Sequence, residues 1–363
     1  MSLVRPEVEA LAPYNAGMTL AELTARYQPA RIAKLGSNEN PLGPSPHVLA
    51  DLALDSATLR LYPDPACSAL RDRLAARLDV AGDRVIIGNG SEDLLSVICR
   101  AVLRPGDRVV TLYPSFPLHE DYATLQGATV ERIGLRPDLT IDVAALADAA
   151  ARGPRLVIFA NPMNPTGNWL NPAELATIAT ATPRDTMLVI DEAYFEYAQG
   201  PDYADALDLL QDHDRPFVVL RTFSKAWGLA GLRVGYGVTH NAQFRDRLDR
   251  VRTPFNVNAI AQAAALLALD DPGHVDSVVA LSRSERDRVG AFLTARGLTV
   301  VPSKGNFLFF DCGRDSGEFV EGLLRQGVIV KPWKQPDYTS FIRVSIGSAA
   351  ENDHFMAALS GLL

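Results

Sequence analysis

Lys225 sits in TFSKAWGLAGLR (222–233), after Ser224 and ahead of a run of small residues and glycines, a setting that poorly suits a solvated surface charge. A lysine amine can condense with a carbonyl cofactor, most readily when neighbours or desolvation lower its pKa. Such a cofactor also needs an acid beside its ring, a cup for a phosphate and an aromatic lid. Polar segments elsewhere supply candidates: Asp191 in MLVIDEAYFEY, the helix start in GNGSEDLL (88–95), and the turn NPMNPTG (161–167).

Read singly, each segment has a plainer account. Gly88-Asn89-Gly90-Ser91 suits a turn and helix cap, with Glu92 and Asp93 favouring the positive helix end. The functional alternative is that backbone N–H groups at this helix start hold a phosphate. A dinucleotide fingerprint fits poorly, because the third glycine is missing from its place. MLVIDEA imitates the strand-plus-acid of a P-loop ATPase, yet the chain has no G-x-x-x-x-G-K-[ST]. Asp191 alone reads as a helix cap. NPMNPTG alone reads as a turn with two prolines fixing φ and Gly167 free to go positive.

The elements that must position these residues are short apolar runs. RVIIG (84–88), RVVTL (108–112), RLVIFA (155–160), MLVID (187–191), FVVLRT (217–222) and VGYGV (234–238) are apolar on both faces and flanked by Gly, Pro or Asn. Helix-like stretches lie between several of them, which predicts an α/β fold with a largely parallel sheet covered on both sides. In such sheets ligands bind beyond the carboxyl ends of the strands, where all four polar segments fall. After about residue 256 a helical tract over 257–297 leads into LTVV, NFLFFD, VIVK and FIRVS, predicting a smaller α+β lobe completed by the N-terminal segment. The expected division is 40–256 for the large cofactor-binding domain, and 1–39 with 257–363 for the small one.

Length and composition bound the rest. The 363 residues exceed what one core usually serves, and 47% hydrophobic with 21% charged residues is ordinary for a globular protein. A net charge of −8 without a basic stripe argues against nucleic acid, though not against an anionic small substrate. Cys67, Cys99 and Cys312 are far apart, which predicts a reducing compartment without disulfides or a zinc cage, and the six histidines show no metal-ligand spacing. No segment has the ~18 consecutive apolar residues of a spanning helix, and the N-terminus has acids and prolines where a signal peptide needs an apolar stretch. The expected location is the cytoplasm.

With these segments assembled, the chain resembles the fold-type I pyridoxal-phosphate enzymes, and within them the histidinol-phosphate aminotransferase family. The resemblance covers nearly the whole chain through KLGSNENPLGPSP, RLYPDPACSALRDRLA, GNGSEDLL, YPSFPLH, ANPMNPTGNWL, VIDEAYFEYA, RTFSKAWGLAGLRVGYG and FIRVSIG, in the family's order. It implies a mostly parallel seven-stranded sheet and transamination of histidinol phosphate with 2-oxoglutarate. Lys225 matches the Schiff-base lysine that later moves the proton, and Asp191 the acid that keeps the pyridine nitrogen protonated. Asn164 and Tyr194 match the pair bonding the cofactor's phenolic oxygen, and Phe116 the ring-stacking aromatic. The phosphate cup it implies comprises the Ser91 and Glu92 N–H groups, Thr222, Ser224 and Arg233, whose fork suits a phosphate. Tyr62 matches a tyrosine reaching the phosphate of the neighbouring subunit, so a homodimer is implied. Arg343 matches the arginine gripping the substrate's anionic group, and Tyr14 and Asn40 fall in segments lining the substrate side.

One position departs from the family. Lys331 stands where an arginine is common, keeping the charge but losing the planar fork. Trp333 beside it reads as lid packing or as an aromatic wall. The alternatives kept open are an aromatic amino acid aminotransferase, a decarboxylase of phosphorylated amino acids of the threonine-phosphate type, and a non-catalytic sensor using the same fold.

Overall fold

Runs that are apolar on both faces need cover on both sides, and the six runs expected as strands obtain it. The computed structural model describes residues 3–52, 55–211 and 215–363. A short strand β1 (Ala33–Lys34) precedes seven strands that form one sheet: β2 (Val85–Gly88), β3 (Arg108–Tyr113), β4 (Thr129–Gly134), β5 (Leu156–Ala160), β6 (Met187–Asp191), β7 (Phe217–Thr222) and β8 (Gly235–Thr239). Their spatial order is β2-β8-β7-β6-β5-β3-β4. Pairing is parallel from β4 through β7, and β8 runs antiparallel to both β7 and β2. Strands β5, β6 and β7 are buried at every position.

Alternate residues of these strands enter different cores, as the two-residue period of a strand requires. Ile158, Val189 and Val218 pack with Leu94 and Ile98 of the helix Ser91–Val102 on one face. Phe159, Ile190 and Val219 pack with Leu146, Leu175 and Ala261 on the other. Strand β4 was not among the expected runs. It is an edge strand in which only Ile133 is buried, so TVERIG carries polar residues where the inner strands carry Val and Ile.

The helical tract expected over 257–297 is two helices, Ala259–Leu269 and Pro272–Thr294. The break falls at Asp270-Asp271, where Asp271 caps the second helix by accepting from the His274 N–H at 3.2 Å, with Pro272 in its first turn. Val275 and Val278 of this long helix join the large-sheet core, whereas Val289 and Leu293 join a second core with Leu23, Leu35, Phe310 and Phe355. That second core supports β9 (Thr299–Val301), β10 (Phe307–Asp311), β11 (Val328–Ile329), β12 (Lys331–Pro332) and β13 (Phe341–Ser345). Four of them form an antiparallel sheet ordered β12-β13-β10-β9, while β1 pairs in parallel with β11. Among the described residues no helix is long and apolar enough to cross a membrane.

Candidate active site

The exits of β2, β6 and β7 open into one cavity of about 470 Å3. At its floor the helix Ser91–Val102 begins after Gly90, which has φ +85° and offers no capping side chain. Ser91 and Glu92 at the helix start line the cavity, so the positive end of the macrodipole lies against it. Strand β8 closes against this point: a Cβ added at Gly235 would lie 2.4 Å from the Ser91 nitrogen. A Cβ at Gly90 would lie 2.6 Å from Nη2 of Arg233. Thr222 donates its hydroxyl to Ser224 Oγ at 3.0 Å, and Arg233 Nη1 reaches the same oxygen at 3.4 Å. Backbone donors, two hydroxyls and a guanidinium thus form a cradle with the size and polarity for a phosphate monoester.

Strand-end residues divide between the cavity and the layer beneath it. Asp191 and Thr222 line the cavity. Their neighbours Glu192 and Arg221 point the other way and pair with each other, the Arg221 Nε–H donating to Glu192 at 2.9 Å. This alternation gives the DEA and RTFSK segments two jobs, one facing ligand and one holding β6 to β7. Asp191 Oδ1 accepts from the Ala193 N–H at 3.1 Å, and Oδ2 lies 3.1 Å from Nε2 of the buried His119. Both carboxylate oxygens are thereby oriented before any ligand arrives.

Lys225 projects into the same space, its Nζ donating to the Ser37 carbonyl at 3.1 Å. Burial pushes its pKa down to about 8, helped by the nearby Arg343 and Arg233 charges and opposed by Glu39 and Asp191. The amine is therefore neutral far more often at physiological pH than a surface lysine. Tyr194 accepts from Asn38 Nδ2 at 2.9 Å, and burial raises its pKa to about 12, so its hydroxyl keeps a proton to donate. Asn164 Oδ1 accepts from Arg343 Nη1 at 2.7 Å, so its amide N–H groups are what it can present to the cavity.

The opposite wall belongs to the small lobe. Arg343 is buried, donates from Nη2 to the Gly36 carbonyl at 2.8 Å, and has its Nε buried without an acceptor among the described residues. An unpartnered guanidinium donor there is costly unless a ligand satisfies it. Lys331 is the register partner of Arg343 across β12 and β13, and both line the cavity. Its Nζ donates to the Asn15 carbonyl, and burial with the neighbouring Arg343 lowers its pKa to about 8. Tyr14 lines the mouth, its ring meeting Phe116 edge-on at 6.5 Å, and Phe116 meets His119 edge-on at 5.6 Å.

Of the residues singled out in the sequence, Tyr14, Ser91, Glu92, Phe116, Asn164, Asp191, Tyr194, Thr222, Ser224, Lys225, Arg233, Lys331 and Arg343 converge on this cavity. Asn40 does not. Its amide donates to the Gly43 and Ala226 carbonyls at 2.9 Å each, tying the NENPLG segment beneath the lysine loop. The cavity residue of that segment is Asn38, held by Ser345 and bonded to Tyr194. Tyr62 is 82% exposed and stacks on Phe255 at 4.5 Å, outside the cavity of its own chain. Trp333 is buried behind Arg343, packed edge-on against Phe309, and is packing rather than a cavity wall. His119 was not picked out, although it ends the quoted YPSFPLH. Nothing local distinguishes it from a core histidine until the fold brings Asp191 to it.

A seven-stranded, mostly parallel sheet with a half-buried lysine, an anion cradle and an acid at its strand exits defines the class of fold-type I pyridoxal-phosphate transferases. Within that class the chain belongs to the family of class I and II aminotransferases, whose family model matches residues 30–359. It is 59% identical over 361 residues to histidinol-phosphate aminotransferase 1 of Mesorhizobium japonicum, covering 99% of this chain and 98% of that protein. It is 56% identical over 357 residues to histidinol-phosphate aminotransferase 3 of Rhizobium meliloti, covering 98% and 96%. The crystal structure of histidinol-phosphate aminotransferase from Sinorhizobium meliloti in complex with pyridoxal-5'-phosphate superposes with a TM-score of 0.90 at 31% identity, covering 100% of this chain and 98% of that one.

Proposed function

We propose that this aminotransferase carries its pyridoxal phosphate on Lys225 and moves the amino group of histidinol phosphate to 2-oxoglutarate. The observation that carries this reading is the order of groups across one cavity. Anion cradle, ring acid and lysine amine lie on the large-sheet side, and two cations, Lys331 and Arg343, face them from the small lobe. The histidinol-phosphate aminotransferase names of its relatives support the choice of substrate.

Bound pyridoxal phosphate supplies an electron sink for the carbanion left when a substrate Cα–H is lost. The chain's residues do the rest. Ser91, Glu92, Thr222, Ser224 and Arg233 would hold the phosphate. Asp191, braced by His119, would hold the proton on the ring nitrogen. Tyr194 and Asn164 each offer a donor for the phenolic oxygen, because their acceptor atoms are already engaged by Asn38 and Arg343. Lys225, with its depressed pKa, takes and returns the Cα proton. Arg343, which lines the cavity, would pair with the carboxylate of an oxo acid or the phosphate monoester of the donor in alternate half-reactions.

The working unit is proposed to be a cytoplasmic homodimer in which the exposed Tyr62 reaches the partner's cradle. The two-domain division is part of the same proposal, with the expected boundary after 256 moved into the helix Pro272–Thr294. Core membership of Ala261 and Val278 supports a hinge within the helix Pro272–Thr294 rather than ahead of it.

A single half-reaction tests the substrate. The holoenzyme is mixed with histidinol phosphate and no acceptor, with phenylalanine as a parallel donor, while cofactor absorbance is followed. Conversion to pyridoxamine phosphate by histidinol phosphate alone is expected. Conversion only by phenylalanine moves the enzyme to aromatic donors. Release of carbon dioxide from threonine phosphate, with no conversion by either donor, replaces transamination by decarboxylation.

A further inference from the structure

The two walls of the cavity come from different lobes, so something must fix the distance between them. On the large-sheet side, the turn after β3 carries Ser115 and then Phe116 at the cavity. On the small-lobe side, β12 carries Lys331 and continues into Trp333. Between them stands Gln335. Its Oε1 accepts from the Ser115 backbone N–H at 3.1 Å and from Trp333 Nε1 at 2.8 Å. A backbone amide and an indole nitrogen can only donate, so the oxygen of the glutamine, and not its nitrogen, must face them.

We propose that Gln335 is a positioning residue that latches the edge bearing Lys331 and Arg343 to the turn bearing Phe116. The contacts around it supply adhesion. Tyr113 donates its hydroxyl to the Pro336 carbonyl at 2.9 Å and meets the Tyr338 ring edge-on at 5.8 Å. With Phe309, Trp333 and Phe341 these rings form a cluster that joins Tyr113 of the large sheet to the small sheet. Aromatic faces tolerate sliding, since offset and edge-on arrangements all bind. A hydrogen bond does not: the Ser115 N–H bond to Gln335 crosses between the walls and sets their register, and the Trp333 bond, from two residues away on the same segment, keeps the glutamine oxygen aimed at it. Lys225, Asp191 and the phosphate cradle all belong to the large-sheet side, so the latch acts on the grip of the substrate's anionic group and not on the chemistry.

The kinetic part of this proposal rests on the transaminase reading above; the structural part does not. The test compares Gln335→Ala with Gln335→Glu, whose carboxylate can accept the same two N–H groups. Hydrogen exchange at the Ser115 amide is expected to speed up at least tenfold in Gln335→Ala and to stay near wild type in Gln335→Glu. With whichever amino donor the wild-type holoenzyme accepts, Gln335→Ala is expected to raise KM about tenfold, with kcat within about twofold and Gln335→Glu largely restored; this corresponds to about 1.4 kcal/mol. Unchanged Ser115 exchange in Gln335→Ala overturns the latch. Faster exchange with unchanged KM, or an equal loss of kcat in both variants, overturns the positioning role. A wild type inactive with histidinol phosphate but active with another donor leaves both arms measurable, and refutes only the substrate.

Discussion

The cavity has two ends built in different ways. The end proposed for the cofactor is assembled from strand exits of one sheet, with Asp191, Thr222, Ser224 and Lys225 each within a few residues of a fully buried strand. The end proposed for the substrate gathers Tyr14, Asn38, Lys331 and Arg343 from segments distant in sequence, some of them flanking residues of the second core such as Leu35, Val330 and Ile342. A rigid sheet fixes the first end, and packing between lobes fixes the second. The first should therefore answer to mutation as chemistry, the second as affinity.

The largest expected effect belongs to the cofactor end. Lys225→Ala should abolish turnover and the visible band of the bound cofactor, measured by spectrum and donor kinetics. Asp191→Ala should lower kcat on the order of 10²–10³-fold with the cofactor still bound, as loss of one preorganised electrostatic partner does. At the substrate end, Arg343→Ala should remove about 3 kcal/mol of ligand grip, raising KM for donor and acceptor together by about two orders of magnitude. A loss confined to one of the two substrates would break the shared-fork reading. Gly90→Ala puts a Cβ 2.6 Å from Arg233 Nη2 at φ +85°, and should weaken cofactor affinity about tenfold while leaving donor KM unchanged at saturating cofactor.

The smallest effect concerns pH. Lys331 has its pKa lowered to about 8, so it loses its positive charge as pH rises through that value. KM for a phosphorylated donor should rise above pH 8 by less than about tenfold, and Lys331→Arg, always charged, should flatten that rise. A rise that persists in Lys331→Arg would assign it to another group.

Legibility in the sequence follows the same divide. The convergence of Lys225, Asp191 and the GNGSEDLL helix start on one cavity could be read because strand, exit and polar residue are contiguous, and the exits of one sheet must face one side. Strand β4 could not, because an edge strand with one paired side lacks the apolar run that marked the others. Asn38 and Asn40 are separated by one residue in an irregular segment, where no periodicity says which faces in. The side chain of Asn40 supports the backbone beneath the lysine loop, and only the approach of Tyr194 and Ser345 selects Asn38. His119 gains Asp191, and Gln335 gains the Ser115 amide, only through tertiary contacts.

The most direct test of the central claim is chemical trapping of the cofactor on the protein. The resting holoenzyme would be reduced with borohydride, digested, and its peptides weighed. The expected result is one cofactor-derived mass on the peptide containing Lys225, absent after prior conversion with the amino donor. A mass on any other lysine, or none on a protein that still exchanges amino groups, would contradict the account.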